Sequence, residues 1–559
     1  MDITRYRVKG EPWVTPDPQT DRFFWGMAGW EMEDLLQFSS IGQAYTTVEG
    51  SMYRLREKVK FPKEAAEAPE WTIRDQQACI LHGLIGGRSL LWIEVQRLLR
   101  ARGADWQEGE VAASLQWLQL TGRVKIVPGV EVPRAVSRWR CNRCGGGPSG
   151  IRSVQCARCG GACAVCESCA VLGASRACLP LIQALPIPQS QQAAIPTLRS
   201  PRLSPAQSDA AAGCLRWLDS SEEELLIWAV TGSGKTEMLF PSVRNVLEKG
   251  GNVLWTASRR DLVRELTTRL KKAFPDTPHV TLHGESEETW CDGRLFVATV
   301  QQAYRFYRRF SLVIVDEADA WPLSEDYRLQ ASLKRACTPE GKRVHVTATP
   351  PASWRRRVKK GHLPTVTLPA RYHGNPLPVP RLTRVPGLWR KIERGRPLPV
   401  LEAFLEQARS TGGQVLLFIP RTGDSSRVIQ WLKERLSPSL IRKCAAVSGR
   451  MEERTRLVEE FRRGERWLLL TTTILERGIT VSRCHVGVLG ADHPVFDTAS
   501  LVQIAGRVGR SSDYMEGEVC FLARMRTEAQ ETAVRQIRSL NRLAGEQGYL
   551  KDQPGEGAW

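Results

Sequence analysis

Short apolar runs rich in β-branched residues alternate with amphipathic helical stretches through most of the chain after residue 206. The runs LLIWAV, NVLWTA, LFVATV, LVIVDEAD and RVHVTATP predict the strands of a first lobe, residues 206–370. The runs QVLLFIP, KCAAVS, WLLLTTT and HVGVLGAD predict those of a second lobe, residues 387–545, after a proline-rich hinge at 371–386. Alternating strands and helices are typical of parallel sheets, so the pattern predicts two similarly built α/β lobes of the RecA type.

The pattern is different before residue 206. Residues 71–135 contain three apolar helical stretches followed by the strand-like VKIVPGVEV, which predicts either a winged-helix-like domain or a plain helical subdomain. Residues 1–70 show no clear period, and their role stays open. A cysteine-rich module spans residues 136–182, a segment rich in Pro, Gln and Ser predicts a linker at 183–205, and residues 546–559 form a tail.

Length and charge narrow the class of protein. A chain of 559 residues is too long for one hydrophobic core. Its apolar runs are much shorter than the roughly 20 residues that span a bilayer, and its first residues lack an apolar signal core, so we expect a soluble intracellular protein. The 79 Lys and Arg against 60 Asp and Glu give a net charge of +19, which favours nucleic acid or acidic lipid as partner over a non-binding basic surface.

Eight of the 15 cysteines lie from Cys141 to Cys178, and several of them form pairs with two other residues between them. Such paired thiolates turn in a knuckle that offers two ligands to a tetrahedral ion, so the spacing predicts structural Zn²⁺. Disulfides fit a reducing cytoplasm poorly, whereas an iron–sulfur cluster remains a rival. The predicted first site is Cys141, Cys144, Cys166 and Cys169, and the predicted nested second site is Cys156, Cys159, Cys163 and Cys178. The spacing leaves open whether the module binds one ion or two.

The segment AVTGSGKT follows an apolar strand and precedes a helix, which is the context of a phosphate-binding loop. Backbone amides from Thr231 to Ser233 would cradle the phosphates of ATP, with Gly232 and Gly234 allowing the tight curl. Lys235 would reach the β- and γ-phosphates, and Thr236 would ligate Mg²⁺.

Two further segments complete the predicted ATPase site. Asp316 and Glu317 end the strand LVIVDEAD, where Asp316 suits Mg²⁺ and Glu317 suits polarisation of the attacking water. In QIAGRVGR, Arg507 and Arg510 share a helix face and are predicted arginine fingers. The alternative is a solvated surface pair. Gln207 would either bind adenine through its amide or be a linker residue without a role.

The motifs AVTGSGKT, SRRDLVREL, ATVQQ, DEADAWP, TATP, TTTILERG and QIAGRVGR occur in the order found in superfamily 2 helicases. Within that superfamily, LPARYHGNPLPVPRL and GADHPVFDTASLVQIAGRVGR resemble the late competence protein ComFA family, over about residues 136–545. The paired cysteine sites are similar to those of the PriA restart helicase.

The resemblance implies an ATPase stimulated by single-stranded DNA that helps to import transforming DNA. Motif matches imply DNA contacts for Arg259, Thr299, Gln301 and Thr472, coupling of hydrolysis to motion for Thr347 and Thr349, and nucleotide contact for Gly478. The family has Pro-Arg where this chain has Ser258 and Arg259, which weakens the expected contact there. The resemblance implies a membrane DNA channel and a cytoplasmic ComFC-like protein as partners. It also implies that this protein is cytoplasmic, either free or bound at the inner face of the membrane. Self-association stays open.

Two other functions fit the motifs. The superfamily motifs alone also fit a PriA-like restart helicase or an RNA helicase. A scaffold that uses zinc and basic surface without hydrolysing ATP is a third hypothesis, against which the intact Lys235, Asp316 and Glu317 argue.

Overall fold

The structure, a computed structural model of the chain, describes residues 3–8, 11–27, 30–38, 41, 69–133, 136–187, 195–448, 453–476, 481–509 and 517–551. The strands are β1 Ile3–Val8, β2 Glu11–Thr15, β3 Glu33–Phe38, β4 Ser89–Leu91, β5 Val124–Pro128, β6 Val130–Glu131, β7 Arg140–Cys141, β8 Ile151–Cys156, β9 Gly161–Cys166, β10 Ser175–Arg176, β11 Pro180–Ala184, β12 Glu224–Ala229, β13 Val253–Ala257, β14 His279–Leu282, β15 Leu295–Thr299, β16 Phe310–Asp316, β17 Cys337–Thr347, β18 Thr365–Leu368, β19 Arg381–Arg384, β20 Gln414–Phe418, β21 Cys444–Val447, β22 Leu468–Thr471, β23 Cys484–Leu489 and β24 Val519–Ala523.

The α-helices are α1 Pro18–Met27, α2 Pro69–Ile85, α3 Trp92–Ala101, α4 Glu108–Leu120, α5 Pro205–Leu218, α6 Lys235–Met238, α7 Phe240–Glu248, α8 Arg260–Ala273, α9 Tyr327–Ala336, α10 Ala352–Lys359, α11 Leu388–Glu393, α12 Pro399–Ser410, α13 Ser425–Lys433, α14 Pro438–Ile441, α15 Arg454–Arg462, α16 Thr498–Ala505 and α17 Glu528–Glu546.

Two large sheets confirm the predicted α/β lobes. The first has seven strands in the order β14-β15-β13-β16-β17-β12-β18, and β13 pairs in parallel with both β15 and β16. The second has six parallel strands in the order β19-β24-β23-β20-β22-β21. In both sheets the strand order departs from the chain order, as crossover helices in α/β folds require.

The structure differs from the predicted boundaries at the second lobe. Strand β19 lies inside the segment predicted as a hinge, 371–386, and pairs with β24 as an edge of the six-stranded sheet. The second lobe therefore begins before residue 387, because Arg381–Arg384 already belongs to its sheet.

Tertiary contacts group the chain into two compact units. The first contains Met1–Leu198, Val243–Asp316 and Ala320–Val344, and the second contains Arg199–Ser242, Glu317–Asp319 and His345–Trp559.

In the first unit, β1, β2 and β3 form an antiparallel sheet whose buried residues join one apolar core with helices α2, α3 and α4. The three helices predicted between residues 71 and 135 are present. Strand β5, however, pairs with β11 rather than with the residues that follow it, in a sheet of order β4-β11-β5. The predicted linker therefore begins with a buried strand, since Gln183 and Ala184 belong to β11.

The second unit contains two apolar clusters around the six-stranded sheet. One cluster includes Phe418, Leu501 and Ile504, and the other includes Phe404, Leu417 and Trp431. Among the residues that the structure describes, no helix combines the length and apolarity needed to cross a membrane.

Candidate nucleotide site and cysteine centres

The phosphate-binding loop joins β12 to α6 in the second unit. Gly232 and Gly234 have φ values of +78° and +71°, which side chains other than glycine adopt only with strain. Gly234 is the N-cap of α6, so the backbone amides of the first helical turn lie at the end of the helix that favours anions. Thr231, Ser233 and Thr236 are buried and Lys235 is half-buried, as expected for residues that face bound phosphates and a metal ion.

Gln207 supports this loop from the first turn of α5. Its Nε2 donates to the carbonyl of Ser233 at 2.8 Å, and its Oε1 accepts the amide of Ser204 at 2.8 Å. A Cβ atom at Gly234 would collide with that Nε2 atom, so the glycine is also required for the close approach. Both ends of the Gln207 amide thus hold the backbone, and its predicted contact with adenine stays a prediction.

Asp316 and Glu317 follow the apolar strand β16, as predicted. Asp316 is the last residue of the strand and is buried, whereas Glu317 is half-buried with a φ of +50°. A left-handed backbone is unusual for a residue with a long side chain and is found mostly at functional sites.

Asp319 contacts both predicted coupling residues and is not among the residues predicted from the sequence. Its two carboxylate oxygens accept hydrogen bonds from the hydroxyls of Thr347 and Thr349, both at 2.6 Å. The amide of Thr349 also donates to Thr347 Oγ1 at 2.9 Å. The two residues predicted to couple hydrolysis to motion are therefore fixed to the acidic motif, and the last Asp of DEAD was the available signal.

Arg507 lies buried just after α16, with its Nε donating to the carbonyl of Glu476 at 2.9 Å. The preceding residue, Gly506, lies directly against Thr231, because an added Cβ would overlap the Thr231 side chain. Within the second unit, the structure thus brings the first residue of the phosphate loop beside the arginine motif. The other predicted finger, Arg510, and the predicted nucleotide contact Gly478 lie outside the described residues.

The predicted DNA contacts lie at the ends of strands and helices. In the first unit, Arg259 is the N-cap of α8, Thr299 ends β15, and Gln301 lies in the 3₁₀ helix Val300–Arg305. In the second unit, Thr472 follows β22 and is half-buried. Loop positions after parallel strands are where α/β proteins bind ligands, so these placements are compatible with the prediction.

The eight clustered cysteines form two separate quartets in the first unit, and their membership is the predicted one. In each quartet the Sγ atoms all lie within 4.8 Å of one another; one comprises Cys141, Cys144, Cys166 and Cys169, and the other Cys156, Cys159, Cys163 and Cys178. Sγ–Sγ distances are 3.7 Å for Cys141–Cys169 and 3.6 Å for Cys144–Cys166. Thiolates about 2.3 Å from a tetrahedral Zn²⁺ lie about 3.8 Å apart, so this geometry fits the ion.

The second quartet is more open to solvent than the first. Cys156 and Cys159 are half-buried, while all four members of the first quartet are buried. A hydrogen bond from the Cys178 thiol lowers the pKa of Cys163, which favours the thiolate form.

Two arginines, Arg143 and Arg335, lie at the first quartet. Arg143, between Cys141 and Cys144, is fully buried and pairs with Glu94 at 2.8 Å. Arg335 donates to the carbonyl of Asn142 at 3.2 Å and to that of Arg143. Four thiolates around one Zn²⁺ carry a net charge of −2, which these guanidinium groups would offset.

Three parts of the chain match known families. Residues 88–183 match the competence protein ComFA N-terminal domain, residues 200–352 match the type III restriction enzyme res subunit, and residues 398–512 match the helicase conserved C-terminal domain.

Full-length relatives point to the same family. The competence protein ComFA of Bacillus subtilis (strain 168) is 33% identical over 452 residues, which are 81% of this chain and 96% of that protein. The competence protein ComFA of Streptococcus pneumoniae is 36% identical over 344 residues, which are 62% of this chain and 78% of that protein. The replication restart protein PriA of Bacillus subtilis is 26% identical and covers only 38% of this chain and 28% of its own length.

The sequence identity and coverage of the Bacillus subtilis ComFA relative agree with the matched N-terminal and helicase domains. The chain belongs to the competence protein ComFA family, whose members are built around a superfamily 2 helicase-like ATPase.

Proposed function

We propose that this protein is an ATP-driven motor that translocates along single-stranded DNA and assists its import during natural competence. The observation that carries the proposal is the contact between the two predicted halves of the site: Gly506, next to Arg507, lies against Thr231 of the phosphate loop. A helicase-type ATPase needs both halves, because the loop binds ATP and the arginine stabilises the transition-state charge.

Each step of hydrolysis has a candidate residue in this chain. The amides around Gly232 and Gly234 bind the phosphates, and Lys235 neutralises their charge. By the motif match, Thr236 and Asp316 would each supply an oxygen ligand to Mg²⁺, and each is buried within its own unit. The ion would neutralise charge on the β- and γ-phosphates, while Glu317 orients the attacking water.

The hydrogen-bonded group of Asp319, Thr347 and Thr349 supports the coupling of this chemistry to motion. It ties Thr347, the last residue of β17, and Thr349 to the acidic motif through two short hydrogen bonds. In this proposal, a displacement of Glu317 during hydrolysis is transmitted to the TATP segment through Asp319, which lies two residues after Glu317.

We further propose that each cysteine quartet holds one structural Zn²⁺. The Sγ spacing near 3.7 Å and the buried guanidinium group of Arg143 support this for the first quartet. Closed tetrathiolate sites stabilise a fold and leave no position for a substrate, so no catalytic role is assigned to either ion. By family resemblance, we also propose that the protein binds a membrane DNA channel and a cytoplasmic ComFC-like protein and that it associates with itself.

ATP turnover measured with single-stranded DNA, duplex DNA and RNA tests the motor function. We expect hydrolysis to rise several-fold with single-stranded DNA and less with the other two. Lys235→Ala should abolish hydrolysis while DNA binding persists, because the loop amides and the DNA surface remain. Equal stimulation by RNA would favour an RNA helicase, and unstimulated hydrolysis would contradict the import role.

The salt dependence of DNA affinity tests the mode of binding. A motor that ignores sequence contacts mainly phosphates, so the logarithm of affinity should fall linearly with the logarithm of salt concentration. The net charge of +19 supports such binding. Similar affinities for unrelated sequences at one salt concentration are the second expected result.

A further inference from the structure

Three consecutive residues in the segment LPARYHGNP contact both the phosphate loop and the end of the arginine motif. The amide of Tyr372 donates to the carbonyl of Gly232 at 3.3 Å. Arg371 Nη1 donates to the carbonyl of Gly509 at 2.5 Å, and His373 Nε2 lies 3.1 Å from the same oxygen. All five residues belong to the second unit, so the segment links the two halves of the predicted nucleotide site within one compact body.

The protonation of His373 follows from its two contacts. Its Nδ1 accepts the amide of Asn375 at 3.1 Å, so the ring proton of the neutral imidazole lies on Nε2. Nε2 therefore donates to the carbonyl of Gly509. Burial and the adjacent Arg371 both lower the pKa of His373, which keeps the ring in this neutral form.

The contacts of Arg371 and His373 with the carbonyl of Gly509 are short and buried. Gly509 has a φ of +64°, and a Cβ there would lie 2.8 Å from Arg371 Nη1. Arg371 is 2% exposed and His373 is 7% exposed. Two buried donors on one carbonyl fix the backbone two residues after Arg507, so the end of the arginine motif has little freedom to shift.

We propose that Arg371 and His373 are positioning residues that hold Arg507 at a fixed place relative to the phosphate loop. This inference rests on the proposed role of Arg507 in ATP hydrolysis. The link runs from Gly509 through Arg371 and His373 to the amide of Tyr372 and the carbonyl of Gly232. Because catalysis by an arginine finger depends on its placement, loosening the link lowers turnover without removing any group that touches ATP.

Steady-state ATP hydrolysis of the full chain tests the proposal. We expect Arg371→Ala to lower kcat by about 10- to 100-fold, since a displacement of about 1 Å can cost that much, with an unchanged KM for ATP. Arg371→Lys should recover part of the loss. His373→Gln, which keeps a donor near the Nε2 position, should retain more activity than His373→Ala. Tyr372→Phe is the matched control, because the link uses only its backbone amide and its ring contact with His373 is preserved.

A double-mutant cycle with Arg507→Ala separates positioning from general damage. If Arg371 acts through Arg507, the double variant should be no slower than Arg507→Ala alone, whereas independent effects would multiply. Multiplying losses, or full kcat in Arg371→Ala, would overturn the inference. A fully active Arg507→Ala would instead refute the proposed role of the arginine itself. Thermal unfolding checks that Arg371→Ala folds, and if it does not, Arg371→Lys takes its place in the cycle.

Discussion

Arg143 and Glu94 form a fully buried ion pair in which Arg143 Nη2 lies 2.8 Å from one carboxylate oxygen and 3.0 Å from the other. Glu94 also accepts from Arg305 Nη1 at 2.8 Å and from the amide of Leu91 at 2.9 Å. One carboxylate thus joins the cysteine knuckle, helix α3 and the 3₁₀ helix that follows the predicted DNA contact Thr299. Within the first unit, the cysteine module is fixed to the lobe by buried charge.

The Glu94 carboxylate should therefore be required for stability. Glu94→Gln leaves two buried guanidinium groups without their counter-charge, which costs about 3 to 5 kcal/mol. We expect a clearly lower midpoint in thermal or urea unfolding. The matched control is Glu167→Gln, because the Arg152–Glu167 pair in the same module is exposed and such pairs contribute about 0 to 1 kcal/mol. Equal effects of the two substitutions would contradict the structural role of Glu94.

Gly506 should tolerate no side chain. In Gly506→Ala the new methyl group would overlap Thr231, so either the phosphate loop or the end of α16 must shift. We expect kcat for ATP hydrolysis to fall at least about tenfold, given the sensitivity of such sites to displacement. Gly423→Ala is the control, since nothing lies within 4 Å of a Cβ at that position. Normal turnover in Gly506→Ala would place the two motifs further apart than the structure does.

The two cysteine quartets should differ in metal retention. We expect two zinc ions per chain in the purified protein, and one in either Cys144→Ser or Cys156→Ser. A chelator should remove the ion of the second quartet first, because Cys156 and Cys159 are half-buried whereas the first quartet is enclosed. Elemental analysis during chelation measures this. A value near one in the unmodified protein would mean that only one quartet binds zinc, and bound iron would favour a cluster instead.

A buried acid should make the stability of the N-terminal region depend on pH. Burial raises the pKa of Asp21 to about 7, although Thr15 and Gln116 donate to its carboxylate at 2.5 Å and 2.9 Å. The unfolded chain, with a pKa near 3.9, loses this proton first as the pH rises, so the free energy of unfolding decreases between about pH 4 and pH 7. The contribution is fully present below pH 4 and is lost above pH 7.

Asp21→Asn tests this dependence. The substitution should flatten the change in stability between about pH 4 and pH 7, by an amount on the order of a few kcal/mol. Asp105→Asn is a suitable control because that residue is exposed. Parallel curves for Asp21→Asn and the unmodified protein would show that another group controls the titration.

Much of the fold follows from local patterns. The apolar runs before Gly232 and Asp316 form strands as predicted, because a buried parallel strand needs little beyond its own hydrophobic residues. The cysteine quartets also follow the prediction, since two knuckles with ligands two residues apart can close one tetrahedral site.

Other features depend on partners far along the chain. Strand β11 lies between β4 and β5, although the cysteine module separates it from both strands along the chain. The contacts of Glu94 with Arg305, and of Arg371 with Gly509, join residues more than one hundred positions apart. No local pattern indicates such pairs, because Glu94, Arg305 and Arg371 each have the sequence properties of a solvated charge.

The backbone of Glu317 has a consequence for engineering. A left-handed conformation costs a residue with a side chain about 1 to 2 kcal/mol relative to glycine, and Glu317 has a φ of +50°. Selection of variant libraries for heat resistance alone would therefore enrich glycine at this position and discard the carboxylate assigned to the attacking water. Thermal tolerance and ATP turnover oppose each other at Glu317, so a useful screen must select for both.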